Sequence, residues 1–283
     1  MMTRRDYLKQ LSTIAAGAPL LRSGTKVGAK SPIAAGSANV WQPIIDLHFA
    51  DDSGLAQWWV PELVLLGNTD VSLGARGRVH WQQHGNGWSY QHVNPDRQLS
   101  LNVTVDRIEH GWLASLTVGN QTKENWPDVV CPVCLLLRAS GSFEDVDWTR
   151  TYFRSDGEFL TYHGRKTDGG QPIYRMSLVK GRTHIERTER HKNKWGFTKQ
   201  LSDDGIIGVV SQDGSTVLTT AWTRTHHLRA NLMRTFSCIH ANPYFGHIGP
   251  GESCTMRGCV QLTAGSLEEA WTATQKILND IET

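Results

Sequence analysis

Apolar residues alternate with polar ones over much of the chain beyond residue 60. Leu99, Leu101, Val103 and Val105 are separated by Ser100, Asn102 and Thr104, and Trp112, Ala114, Leu116 and Val118 resume the period after His110-Gly111. A period of two places successive side chains on opposite faces, so both runs read as half-buried strands joined by a turn. Residues 205–210 and 216–222 flank Gln212-Asp213-Gly214-Ser215. Asp-Gly between two such runs predicts a hairpin, because glycine accepts positive φ. Residues 255–262 read as a further strand. Helical spacing is clear only at the end, where Leu267, Ala270, Trp271, Thr274, Leu278 and Ile281 share one face. Ser266 and Glu269 form a capping box before it, so a helix is expected over 266–281. The pattern predicts an all-β, antiparallel fold with a C-terminal helix. No repeat or boundary divides residues 39–283, which read as a single domain.

The first residues differ from the rest. Thr3-Arg4-Arg5-Asp6-Tyr7-Leu8-Lys9 resembles a bacterial twin-arginine export signal. An apolar run follows over 11–21, then small residues that suit cleavage after Ala29 or Ala38. The order charged, apolar, small is that of a signal peptide, and the run is too short to span a bilayer about 30 Å thick. Residues 1–38 are therefore read as export signal and linker, with 22–40 rich in Gly, Ala and Ser. The resemblance implies a protein folded before export and working in the periplasm or outside the cell.

Export changes the charge balance. Residues 1–38 hold six of the 29 basic residues and one of the 27 acidic ones, so the remainder has a formal net charge of −3. Bulk charge then argues against nucleic acid as a partner. No later apolar run is long enough for a membrane helix, so no membrane partner is expected once the signal is gone. The local exception is 175–199, with eight basic residues against Glu186 and Glu189. It reads as a solvated face or as a basic lip for an acidic polysaccharide.

Eleven tryptophans are present. Trp58, Trp59, Trp81, Trp88, Trp126, Trp148 and Trp195 sit among polar neighbours, where flat apolar rings with one N–H suit sugar faces; for any single one of them, ordinary packing within sheets is the preferred reading. Of five cysteines, Cys131 and Cys134 have redox-type spacing but lie in an apolar run that reads as a buried strand. Cys254 and Cys259 fall on opposite faces of one strand, leaving Cys238 to pair with one of them if any disulfide forms.

Candidate chemistry concentrates in 222–252, which holds four of the twelve histidines. Histidine titrates near neutral pH and moves protons readily. On a strand, His226 and His227 point to opposite faces, so at most one enters a groove. His240 lies in an aromatic, proline-containing stretch read as a loop displaying functional groups. We assign His240 as general acid or base, with Asn231 and Tyr244 positioning or sharing the proton work. His227, Arg234, Trp222 and Asn242 are assigned to substrate contact. Pro250-Gly251-Glu252 reads as a turn. Zinc on His80, His84, His226, His227, His240 and His247 is a second reading, but the spacings are loose. Asp51-Asp52 and Asp203-Asp204 read as turn chemistry and not as calcium ligands. No metal and no cofactor are expected.

The run 238–252, with its Pro-Gly-Glu turn and following strand, resembles the closing segment of galactose-mutarotase-like proteins. Residues 116–122 and the segment from Arg154 to Phe159 are similar to other parts of that family. The resemblance implies a two-layered antiparallel β supersandwich whose concave face binds carbohydrate, in a family of epimerases, polysaccharide lyases and hydrolase domains. The family's catalytic histidine pair has no match here. The expected function is carbohydrate-active, of epimerase, lyase or hydrolase type. A non-catalytic glycan-binding protein or a structural envelope protein is the alternative.

Overall fold

The alternating segments form strands that stack in two antiparallel sheets. The structure is a computed structural model describing residues 33–38, 42–49, 55–66, 72–73, 79–184, 195–233 and 236–282. In chain order the strands are β1 (Ile33–Ala38), β2 (Ile44–Phe49), β3 (Leu55–Trp59), β4 (Val64–Leu66), β5 (Ser72–Leu73), β6 (Gln82–His84), β7 (Gly87–Asn94), β8 (Leu99–Ile108), β9 (Gly111–Asn120) and β10 (Trp126–Val130). They continue with β11 (Cys134–Ala139), β12 (Thr151–Ser155), β13 (Glu158–Thr161), β14 (Tyr174–Leu178), β15 (Ile207–Val210), β16 (Thr216–Trp222), β17 (Thr225–Met233), β18 (Phe236–Ile248) and β19 (Ser253–Ala264), and end in helix α1 (Leu267–Glu282).

One sheet runs β13-β12-β15-β16-β19-β9-β8-β7-β6. The other runs β1-β2-β3-β11-β18-β10-β4-β5, with β17 on the free side of β18 and β14 beyond it. The all-β antiparallel sandwich with a C-terminal helix is thus the fold observed. The β8–β9 hairpin has the expected faces, with Leu99, Leu101, Val103, Val105, Trp112, Ala114, Leu116 and Val118 all buried. The Asp213-Gly214 turn joins β15 to β16, with Gly214 at φ +76° and the Asp213 carboxylate accepting from Ser211 and Ser215. In α1, Ser266 N donates to Glu269 Oε2 at 2.7 Å and Glu269 N to Ser266 Oγ at 3.3 Å, which completes the capping box. Its face of Ala270, Trp271, Thr274 and Leu278 covers β16 and β19 from outside.

Two expectations about the chain's course change. Ile33–Ala38, inside the stretch read as linker, is a strand paired with β2, so the sheet begins before residue 39. Small residues suffice there because pairing uses backbone groups. The segment around His240 is not a loop: Phe236–Ile248 is a 13-residue strand with three partner strands. Pro243 is accommodated beside a β-bulge, where a missing N–H costs little.

The tryptophans follow the packing reading. Trp58, Trp59, Trp81, Trp126, Trp148 and Trp195 are buried, and Trp88 is half-buried. Trp58, Trp81, Trp126 and Trp148 fill the volume between the two sheets, whereas Trp195 packs in a separate cluster with Tyr174, Met176 and Phe197. The export signal and Asp51-Asp52 lie outside the described residues. No described helix is long and apolar enough to cross a membrane.

Candidate functional site

Strand β18 sorts its side chains by parity. Ile239, Ala241 and Phe245 enter the core between the sheets, so Cys238, His240, Asn242 and Tyr244 line the other face. Pairing with β17 sets Asn231 opposite Cys238, Arg229 opposite His240 and His227 opposite Asn242. Pairing with β11 sets Leu135 opposite Ile239 and Leu136 opposite Cys238, which brings Cys134 level with His240. The result is a polar strip on the face of this sheet turned away from the core. Trp195 and Phe197 lie against it: Phe197 bridges Met176 of β14, and the Arg229 guanidinium sits 5.6 Å from the Trp195 ring centroid.

The strip has a buried half and an exposed half. In the buried half, His240 has no exposed surface. Arg229 Nη2 lies 2.8 Å from His240 Nδ1, 3.1 Å from its Nε2 and 3.2 Å from Glu62 Oε2. Asn231 Nδ2 is 2.9 Å from His240 Nε2 and 3.4 Å from Cys238 Sγ. Asn242 Oδ1 accepts from Val133 N at 3.2 Å. Burial pushes the Cys134 thiol well up. Asn231 touches His240, and Asn242 shares their face of the sheet, all three beneath the surface and not on a displayed loop.

The exposed half is built by two bulges. One, at Thr225/His227, inserts a residue in β17 and puts the two histidines side by side. His226 Nδ1 is 2.9 Å from His227 Nδ1, which corrects the expectation of opposite faces. His226 Nε2 meets the carbonyl of Thr183 at 3.2 Å. A carbonyl only accepts, so the proton sits on Nε2, His226 Nδ1 accepts, and His227 Nδ1–H donates. Burial, then the Arg182 charge, lowers His226 to about 4, and burial with neighbouring His226 and Arg229 takes His227 well below its ordinary value. Both rings are neutral at pH 7.

The second bulge, between Trp126 and Val129 of β10, holds Asp128 at φ +49°. Its Oδ1 accepts from the Tyr244 hydroxyl at 2.6 Å. The Tyr244 ring is 5.3 Å from the His226 ring, and the guanidinium carbons of Arg182 and Arg224 lie 5.0 and 5.5 Å from its centroid. Asp128 and Arg224 are exposed, and Tyr244 and Arg182 half-buried. Burial and the Asp128 charge raise the Tyr244 phenol, so it stays protonated. Burial, then the neighbouring Arg224 charge, lowers Arg182.

Other assignments divide. Trp222 is not at the site: it is 1% exposed, on β16 in the core, 6.2 Å from Trp58. Arg234 lies outside the described residues. Pro250-Gly251-Glu252 is a turn, with the Glu252 carboxylate accepting from Gly249 N. The loose zinc set does not assemble. His80, His84 and His247 are exposed, and His84 instead contacts Asp106 at 3.7 Å. Cys238 is apart from Cys254 and Cys259, which lie on β19 of the other sheet, and next to Cys134. Of the basic stretch, Arg187, Arg190, Lys192 and Lys194 lie outside the described residues. Arg165, Lys166 and Lys199 line a separate open cavity of about 540 Å³. Asp128 was not singled out in the sequence, because a bulge and strand pairing bring it in from a distant position; Arg182 belongs to the basic stretch and Arg229 to the histidine-rich run, neither with an assigned role.

No protein-family model and no curated protein matches the chain. Among solved structures it is similar to a galactose mutarotase-like protein from Lactobacillus casei, with 10% identity and a TM-score of 0.45 over 82% of this chain and 100% of that one. A galactose mutarotase-like protein from Clostridium acetobutylicum gives 10% and 0.42 over 80% and 94%. An alpha-galactosidase from Lactobacillus brevis gives 10% and 0.42 over 72% and 29%. The functional reading therefore rests on the residues of this chain.

Proposed function

We propose that this chain is an exported carbohydrate-active protein that works on an acidic glycan at the Tyr244–Asp128 pair. The observation that carries the reading is that pair itself: an accessible carboxylate and a protonated phenol in one 2.6 Å hydrogen bond, flanked by two guanidinium groups. Sugar binding alone needs no acid–base pair, and a neutral sugar needs no paired arginines.

The chemistry that suits these groups is β-elimination at a uronate. Arg182 and Arg224 neutralise the carboxylate, which makes the C5 proton more acidic. Asp128 takes that proton, the C5–H electrons form the C4–C5 double bond, and the C4–O bond breaks with its electrons. Tyr244 gives its proton to the departing oxygen, while His226 fixes the phenol ring. The test is the ultraviolet absorbance of unsaturated uronate over a panel of acidic and neutral glycans. A signal on an acidic glycan alone supports the reading. A flat trace over the panel refutes elimination, and a glycan that binds without turnover leaves a binding protein.

Export is the second part of the proposal and is supported by Arg4-Arg5 and the residues after them. It places the protein in the periplasm or outside the cell. Changing both arginines to lysine should stop export, and unchanged secretion of that double variant would refute the route.

A further inference from the structure

The buried half of the polar strip has no task in that chemistry. Cys134, Cys238 and His240 each offer a ligand atom, and these atoms lie within 4.8 Å of one another. Cys238 Sγ and His240 Nε2 are 3.3 Å apart. With metal–sulfur bonds of about 2.3 Å and metal–nitrogen bonds of about 2.0–2.1 Å, ligand atoms around one tetrahedral ion fall at such separations. A second observation points to the same spot. Asn231, 7% exposed, has its Oδ1 buried without a partner, while its Nδ2 faces both Cys238 Sγ and His240 Nε2. The O and N of a side-chain amide are assigned from their surroundings. Turning the amide over moves the orphaned oxygen to the place where a fourth ligand belongs.

We propose that Cys134, Cys238 and His240, with Asn231 Oδ1, form a mononuclear site for a thiophilic divalent cation of the zinc class. Two thiolates and an imidazole select zinc over the oxygen-seeking cations. Binding releases both thiol protons. The charge is then closed within the cluster: two thiolates balance the ion, and Arg229 is balanced by Glu62 at 3.2 Å. With Nε2 on the metal the imidazole proton moves to Nδ1, so Arg229 Nη2 leaves both ring nitrogens and keeps Glu62. The position is structural in kind: it ties β11, β17 and β18 together and has no exposed opening at His240. The alternative for two adjacent thiols is a disulfide. Register disfavours it, because Cys134 is level with His240 and Cys238 is opposite Leu136, which leaves the cysteines diagonal.

Cobalt(II) is the probe, added to reduced, metal-free full-length protein in the presence of a weak chelator. The expected result is one ion per chain, with a thiolate-to-cobalt charge-transfer band in the near ultraviolet and the visible bands of a tetrahedral ion, all displaced by zinc. Cys134→Ser and Cys238→Ser should each remove about half of the charge-transfer intensity. They should also weaken binding by more than the 10–100-fold that an outer partner of a ligand is worth. Asn231→Asp, which offers only oxygen, should keep the bands and tighten binding, whereas Cys254→Ser, on the other sheet, should change nothing. The unmodified chain decides the matter even where a variant fails to fold. No charge-transfer band, a band that keeps its full intensity in both cysteine variants, or a Cys134–Cys238 disulfide in protein isolated with its thiols trapped would each overturn the site.

Discussion

Tyr244→Phe should lower turnover of an acidic glycan by about 10²–10⁴-fold, the usual worth of one acid–base group. The substitution removes one oxygen and keeps the ring, so the packing of Arg182, Arg224 and His226 against it stays in place. The loss should fall on kcat and leave KM nearly unchanged, because the phenol proton is needed only as the C4–O bond breaks. Arg182→Gln should do the reverse and act mainly on KM for anionic substrates. The pH profile adds a sign that can be checked. His226, lowered to about 4, is neutral on both sides of pH 6.5. Acidification from pH 8 to pH 5 should therefore produce no histidine limb in kcat/KM. Full activity in Tyr244→Phe, or an acid limb near pH 6.5 that His226→Gln abolishes, would remove this assignment.

What was legible in the sequence follows the physics of local order. The β8–β9 hairpin shows because one face is buried and one is not, so its alternation survives in the residue types. The Asp213-Gly214 turn and the Ser266–Glu269 box show because they are made by neighbours in the chain. Strand β18 was hidden by Pro243 and Gly246, which read as loop residues although one sits by a bulge and the other takes φ +69°. A bulge shifts side-chain parity by one residue, so the pairing of His226 with His227 was invisible to a period-of-two argument. Asp128 reaches Tyr244 across 116 positions, and Cys134 reaches His240 across two strands whose register is a property of the folded sheet. The histidine-rich run supplies residues to both clusters. Within it, His240 and Tyr244 divide between a buried cluster and an exposed one, a division that depends on what the rest of the chain lays over each residue.

Trp222 separates a sugar platform from a core residue most sharply. Trp222→Ala should destabilise the protein by about 3–5 kcal/mol, as expected for emptying a buried tryptophan site in a close-packed core. The ring belongs to β16 of one sheet and meets Trp58 of β3 on the other, so its loss opens a void where the two layers touch. The neighbouring backbone is shaped around it. A Cβ on Gly258, its partner on β19, would fall 2.4 Å from Trp222 Cδ2, and only glycine leaves room for the ring. Urea unfolding should show the midpoint moving down with little change in slope, since the surface exposed on unfolding is nearly the same. Glycan affinity of the fraction still folded should match that of the parent chain. A stability loss under about 1 kcal/mol together with weakened glycan binding would put the ring back at the sugar site, because a side chain with 1% of its surface exposed cannot be removed cheaply from a core that interdigitates around it.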